Sequence, residues 1–257
     1  MNGQTKIVFV GAGRLATNLS QALKQQGFDI VQIYSRTAGS AQRLASLLGC
    51  AYTTSTEEVL PDADVYIYAL CDHVLEQIAH QIMAPDAVHL HTAGSMEMSV
   101  LGDDKPHKGV LYPFQSFSLE QLADFRQAPV LIEAGDEKAR TVVTKLAHSL
   151  SEKVYEADME SRGRLHLAGV FANNFANCMY AIAEEQLHGT DLPFDLLLPL
   201  IKQTADKVAT MSPRKAQTGP AVRHDNDVMQ RHLSLLRNPD EKEIYRLISN
   251  NIQNHEN

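Results

Sequence analysis

The first half of the chain alternates short apolar runs with amphipathic stretches. KIVFV (6–10), DIVQIYS (29–35), DVYIYAL (64–70), AVHLH (87–91), GVLYPF (109–114) and PVLIEA (129–134) have the length and the β-branched, aromatic content of strands. Between them, Leu15 to Gln26 places apolar residues at helical spacing and stops at Gly27. Ser40 to Leu48 does the same and stops at Gly49, and His73 to Met83 is halted by Pro85. Strands alternating with helices predict a parallel sheet covered by helices on both faces.

From Met159 onward the pattern changes to helical spacing alone. It predicts helices over Arg164 to Leu187, Phe194 to Thr210, Asp227 to Arg237 and Glu241 to Asn251. The boundary falls near Ala157, giving an α/β domain over 1–157 and an all-α domain over 158–257.

After the first strand comes Gly11-Ala12-Gly13-Arg14-Leu15-Ala16, a G-x-G-x-x-A pattern. The first glycine permits a tight turn and the second lets backbone approach a pyrophosphate. The small third residue allows close helix–strand packing, and the helix N-terminus faces phosphate charge. Placed between a strand and a helix at the start of a β/α series, the pattern predicts dinucleotide binding. The second strand ends in Tyr34-Ser35-Arg36-Thr37, without the acid that would hold an NAD ribose. Arg36 can pair with a 2′-phosphate, and Ser35 and Thr37 add hydroxyl donors, so NADP is the expected cofactor.

Loops at the carboxyl ends of later strands should also face it. These are Ala69-Leu70-Cys71-Asp72, His91-Thr92-Ala93-Gly94-Ser95 and Tyr112-Pro113-Phe114-Gln115-Ser116. Leu70, Cys71, Thr92 and Gly94 are candidate cofactor contacts. Asp72 reads better as an N-cap of the following helix. His91 and Ser95 read equally as pocket-lining groups or as strand-end and turn residues.

In the helical half, LHLAGVFANNFANC (165–178) sets His166, Asn173, Asn174 and Asn177 in an apolar helix. At α-helical spacing, positions 166, 170, 173 and 177 share a face, bordered by Asn174. Leu167, Phe171, Phe175 and Met179 lie elsewhere and should provide packing. Collected polar residues suggest a cleft wall. The stretch TGPAVRHD (218–225) contains a rigid Gly-Pro turn, an N-cap at Asp225, and Arg223. Arg223 reads equally as a clamp for a carboxylate or phosphate and as a structural ion pair.

Composition narrows the field. The formal charge of −8, with no basic run, argues against nucleic acid as a partner. Three cysteines, Cys50, Cys71 and Cys178, are scattered and form no C-x-x-C pair, which suggests reduced thiols in a cytoplasmic protein. No apolar run approaches a membrane span, and the strand-like run at Lys6 begins without a leader pattern ahead of it. His224 and His232 lack a carboxylate or Cys partner at ligand spacing, so no metal site is expected.

VGAGRLA, IYSR, HTAGS, YPFQSFS, HLAGVFANNF and TGPAVRHD together resemble a bacterial family that joins a Rossmann-like NADP-binding domain to a C-terminal helical domain of unknown function. More distantly the chain is similar to pyrroline-carboxylate reductase, the phosphogluconate and hydroxyacid dehydrogenases, and the deazaflavin-dependent NADP reductases. The resemblance implies a two-domain fold, NADP use and homodimers built through the helical domains. Three departures stand out. The family commonly has His-Pro where this chain has Tyr112-Pro113 and a serine before the glycine where it has Ala93-Gly94, and the hydroxyacid dehydrogenases keep a catalytic Lys where it has Val170. Val170 cannot transfer a proton, and His166, one turn earlier, is the nearest titratable substitute.

The expected function is hydride transfer between NADP(H) and a small, anionic carbonyl or imine compound in an interdomain cleft. His166 would be the acid or base, Asn173 and Asn174 would orient the substrate, and Arg223 would bind its acidic group. The alternative is a non-catalytic NADP(H)-binding sensor or regulatory dimer, which the missing Lys favours.

Overall fold

The core of the first half is a single eight-stranded sheet in the order β3-β2-β1-β4-β5-β6-β7-β8. The strands are β1 (Lys6–Val10), β2 (Asp29–Tyr34), β3 (Ala51–Thr53), β4 (Val65–Tyr68), β5 (Val88–His91), β6 (Lys108–Pro113), β7 (Val130–Ala134) and β8 (Val154–Glu156). These coordinates are a computed structural model, which describes residues 4–254. Ile7 to Val10 and all of β4 are buried, as expected of central strands covered on both faces. The helices α1 (Arg14–Gln25), α2 (Ala38–Leu48), α3 (Asp72–Ala79) and α4 (Glu137–Leu150) connect the strands.

Two expectations need correction here. The sheet is not wholly parallel, because β7 runs antiparallel to β6. A parallel return needs a crossover element, and the 114–129 connection contains no helix or strand to serve as one. The helix after β4 begins at Asp72 and ends at Ala79, four residues short of Met83.

The helix expected over Arg164 to Leu187 begins earlier and is not uniform. The helix α5 (Met159–Gly169) starts after Asp158, whose carboxylate accepts from the Ser161 amide at 2.8 Å. Val170–Phe175 is π-helical, and α6 (Ala176–Glu185) resumes the α-helix. By packing, α5 stays with the sheet: the compact units divide between Phe171 and Ala172.

The second unit holds α6, α7 (Leu198–Thr210), α8 (Pro213–Ala216), α9 (Asn226–Leu235) and α10 (Pro239–Asn254). Gln186 Nε2 donates to Glu241 Oε2 at 2.9 Å, and the His232 ring bonds the Tyr245 hydroxyl at 2.9 Å, tying α9 and the end of α6 to α10. Among the described residues of this unit, Ala221 is the only buried apolar side chain. Leu167, Phe171 and Phe175 stand 58%, 63% and 49% exposed.

Candidate functional site

Strands β1, β2, β4, β5 and β6 run parallel, so their carboxyl ends open on one edge of the sheet. At that edge the Gly11 amide donates to the Tyr34 carbonyl at 2.8 Å. Gly11 has φ +121°, and a Cβ there would lie 2.3 Å from the Ala69 carbonyl oxygen. Both constraints demand glycine. Gly13 differs: a Cβ would meet nothing within 4 Å, so space lies open before the N-terminus of α1. Gly13 is the N-cap, with no capping side chain, and the first turn holds no acidic residue. Ala12 is buried, Arg14 is exposed and Leu15 packs against the core. Arg43 on α2 donates to the Ala12 carbonyl at 3.1 Å and to Thr17 Oγ1 at 3.3 Å, bracing the turn. An anionic pyrophosphate fits this open, uncapped helix end.

Past β2, Ser35 is half-buried and Arg36 and Thr37 are exposed. Thr37 occupies the N-cap position of α2, yet its hydroxyl makes no capping bond. Among the described residues Arg36 has no ion-pair partner. No acid stands within this Ser-Arg-Thr segment, which suits a 2′-phosphate.

Beyond β4, Leu70 packs beside Gly11, and Cys71 is exposed as the N-cap residue of α3. Asp72 is therefore not the cap; its carboxylate instead accepts from Ser95 Oγ at 2.7 Å. Thr92 is buried and donates to the Tyr68 carbonyl at 3.1 Å, fastening β5 to β4. His91 is fully buried and accepts from the Ala93 amide at 3.2 Å. Burial pushes its pKa down to about 3, with the Arg162 charge adding to the effect, so it supports the loop as a neutral ring.

Helix α5 meets this edge along one stripe, Arg162, His166 and Gly169, at i, i+4 and i+7. Arg162 is fully buried and donates to the Glu133 carboxylate, to the Ala157 carbonyl at 3.0 Å and to the Met96 carbonyl at 2.8 Å. The His166 Nδ1 lies 3.0 Å from the Tyr112 hydroxyl. A Cβ on Gly94 would sit 2.9 Å from that hydroxyl and 3.1 Å from that nitrogen, so Gly94 lies directly over the pair. A Cβ on Gly169 would strike the Phe114 ring at 2.7 Å, so glycine lets the helix approach. Burial holds the Tyr112 phenol above its ordinary range, hence protonated.

Sequence reasoning placed Tyr112 in a strand-end loop without pairing it to His166, and it passed over Arg162 altogether. The i, i+4 spacing of Arg162 and His166 is the signal that was available.

In the second unit, Asn173 and Asn174 are exposed on the π turn, and Asn177 on α6. A π turn bonds i to i+5, so the single face predicted from α-helical spacing is rotated after Val170 and does not run unbroken from His166. Arg223 is exposed beside His224, a non-glycine residue at φ 52°. Asp225 caps α9 as expected, accepting from the Val228 amide at 3.2 Å. An open groove of about 1110 Å³ is lined by Met179, Ile182, Leu235, Ile244, Ile248 and Ile252, among others. Among the described residues no cluster of three or more metal-ligating side chains occurs, and no helix is long and apolar enough to cross a membrane.

Comparison with known proteins gives two family matches, the second of which begins within the sheet. Residues 6–90 match the family described as NADP oxidoreductase coenzyme F420-dependent, and residues 128–252 match a domain of unknown function, DUF2520. A Bacteroides fragilis protein described as an NADP oxidoreductase is 45% identical, with a TM-score of 0.92 and coverage of 98% of each chain. An Aspergillus terreus reductive aminase, solved with NADPH and ethyl levulinate, shares the fold at 14% identity and a TM-score of 0.74, over 98% of this chain and 93% of that one. A Haemophilus influenzae shikimate dehydrogenase-like protein is 33% identical over 70 residues, a match that covers 27% of this chain and only 26% of that protein. With 45% identity across nearly the whole of both chains, the protein, whose NADP oxidoreductase match is followed by a DUF2520 match, belongs to the same family as the Bacteroides fragilis protein.

Proposed function

We propose that this protein is an NADP-dependent oxidoreductase acting on a small, anionic carbonyl or imine compound. The observation that carries the reading is the pairing, on one sheet edge, of an open Gly13 turn with the Tyr112–His166 contact beneath Gly94. A dinucleotide laid on the first extends toward the second in a fold of this kind.

Gly11, Ala12, Gly13, Arg14 and Leu15 would hold the pyrophosphate, and Ser35, Arg36 and Thr37 the 2′-phosphate. Leu70, Cys71, Thr92 and Gly94 would flank the nicotinamide end, Thr92 chiefly by fixing the loop. When bound, NADPH supplies the hydride. The chain's own residues would bind and orient the substrate: Asn173 and Asn174 by amide hydrogen bonds, Arg223 by pairing with an acidic group, His166 at the reacting atom as acid or base. The π turn under the two asparagines and the positive φ beside Arg223 support these assignments, since both features concentrate at functional sites.

We also propose a homodimer formed through the helical unit. Its support is exposed apolar surface: Leu192, Leu196, Leu200, Leu235 and Leu247 all stand more than half exposed. A cytoplasmic location is supported by Cys50, Cys71 and Cys178 standing as free thiols.

The test is NADPH oxidation by the purified protein with a panel of keto acids, aldehydes and cyclic imines. Turnover of at least one compound, lost in His166→Ala with NADPH affinity intact, is the expected result. The second reading, a non-catalytic NADP(H) sensor, is favoured by Val170, which offers no proton where distant relatives keep a Lys. Tight NADPH binding with no turnover across the panel would favour that sensor. No thermal shift with NADPH or NADP would refute both readings.

A further inference from the structure

Tyr112 is 8% exposed, and its hydroxyl bonds one group among the described residues, His166 Nδ1 at 3.0 Å. The phenol is protonated, so it carries a hydrogen that needs an acceptor. His166 is exposed, and its Nε2 has no bonding partner among the described residues, so water or a ligand can meet it in either tautomer. The two tautomers are therefore unequal for the buried partner. If Nδ1 carries the ring proton, the phenol hydrogen has no protein acceptor. If Nε2 carries it, Nδ1 accepts from the phenol and every polar atom is satisfied. Gly94 encloses the contact: a Cβ there would come within 2.9 Å of the hydroxyl and 3.1 Å of Nδ1, leaving no room for a bridging water on that side. The stripe of Arg162 and Gly169 on the same helix face holds the ring at its height over β6.

We propose that Tyr112 is a positioning residue that fixes neutral His166 as its Nε2–H tautomer, so that this histidine presents a hydrogen-bond donor, not a base, to the substrate. The inference rests on the reading of His166 as the group that meets substrate. It deepens that reading by giving His166 one role: the Nε2–H edge bonds a carbonyl oxygen or imine nitrogen and stabilises negative charge developing there. A neutral imidazole held by a hydrogen bond at its other nitrogen is suited to this. Burial is the largest influence on the Tyr112 phenol and keeps it a donor; the Arg162 charge opposes it, and Asp72, itself bonded by Ser95, adds to it.

The test is a long-range proton–nitrogen NMR correlation on the uniformly labelled full chain near pH 8, with His166 assigned from the peak lost in His166→Gln. The wild type is expected to show a protonated Nε2 and an acceptor-type Nδ1, the Nε2–H form in excess by on the order of tenfold. Tyr112→Phe should collapse that excess toward a mixture, and Gly94→Ala should move the signals the same way by displacing the pair. A wild-type ring protonated at Nδ1, or an unchanged pattern in Tyr112→Phe, overturns the proposal. If the variants do not fold, a wild-type Nε2–H excess no greater than that of free neutral histidine under the same conditions overturns the proposal. The readout needs no turnover: should His166→Ala keep activity in the compound panel, the functional reading fails while the tautomer result stands on its own.

Discussion

Replacing His89 with Gln should flatten the acid limb of the protein's stability profile. His89 lies on β5, wholly buried, with its ring stacked 5.0 Å from Tyr66. Nε2 faces the Ala84 carbonyl at 2.8 Å, which can only accept, so Nε2 carries the proton and Nδ1 accepts from the Tyr68 hydroxyl at 2.9 Å. Burial lowers its pKa from 6.5 to about 4; the Ala84 bond opposes this and the buried Lys105 charge adds to it. Because the folded pKa is depressed, the unfolded chain takes up the proton first. Stability is intact above pH 6.5, falls as the pH drops toward 4, and levels off below that. At ~1.4 kcal/mol per pH unit, His89 removes about 2 kcal/mol between pH 7.5 and pH 5. For a unit of this size that is a fall in Tm of about 4–8 °C. Thermal unfolding of wild type and His89→Gln at pH 7.5, 6.5, 5.5 and 5.0, at fixed ionic strength, measures it. His91, also depressed, contributes the same sign in both proteins, so only the difference in slope counts. Parallel pH profiles would refute the reasoning, whatever the variant's stability at pH 7.5.

Arg36→Ala should weaken NADPH binding by about 10-fold or more, the worth of a lost charge-assisted bond, and leave NADH within about twofold; equal losses in a fluorescence titration would sink the 2′-phosphate assignment. Arg162→Met should cost about 3–5 kcal/mol in urea unfolding, because it strands the Glu133 carboxylate, and the double variant Arg162→Met, Glu133→Leu should recover much of it. Recovery of nothing would mean that the bonds to Met96 and Ala157 dominate. Sedimentation of the full chain should give a dimer, and Leu235→Glu with Leu247→Glu should shift it toward monomer; a monomeric wild type would discard the homodimer.

The Rossmann-like half was legible because each signal is local. A fully apolar run such as KIVFV becomes a central strand wherever it lands, and G-x-G-x-x-A carries its turn with it. What escaped had too little local signal. The strands β3 and β8 are three residues each, and the AYT and VYE runs lack a buried face long enough to show periodicity. The helix α4, which follows Asp136, went unnoticed between strands although its cap is explicit. The antiparallel β7 follows from the path of the 114–129 connection, which no run of residues announces.

Within the candidate site the same division holds. The sequence alone determined the glycine turn, the acid-free Ser35-Arg36-Thr37 edge and the presence of His166 in an apolar helix. Only the tertiary structure decided what those residues meet. It brought Tyr112 to His166 across 54 positions of chain, seated Gly94 over their contact, and buried Arg162 against the loop that carries Gly94. It also broke the predicted polar stripe with a π turn, which leaves the residue types unchanged and alters their direction. Residue chemistry and short-range periodicity are properties of neighbours in the chain. Hydrogen-bond partners, tautomers and the room left by a glycine depend on segments that only folding brings together.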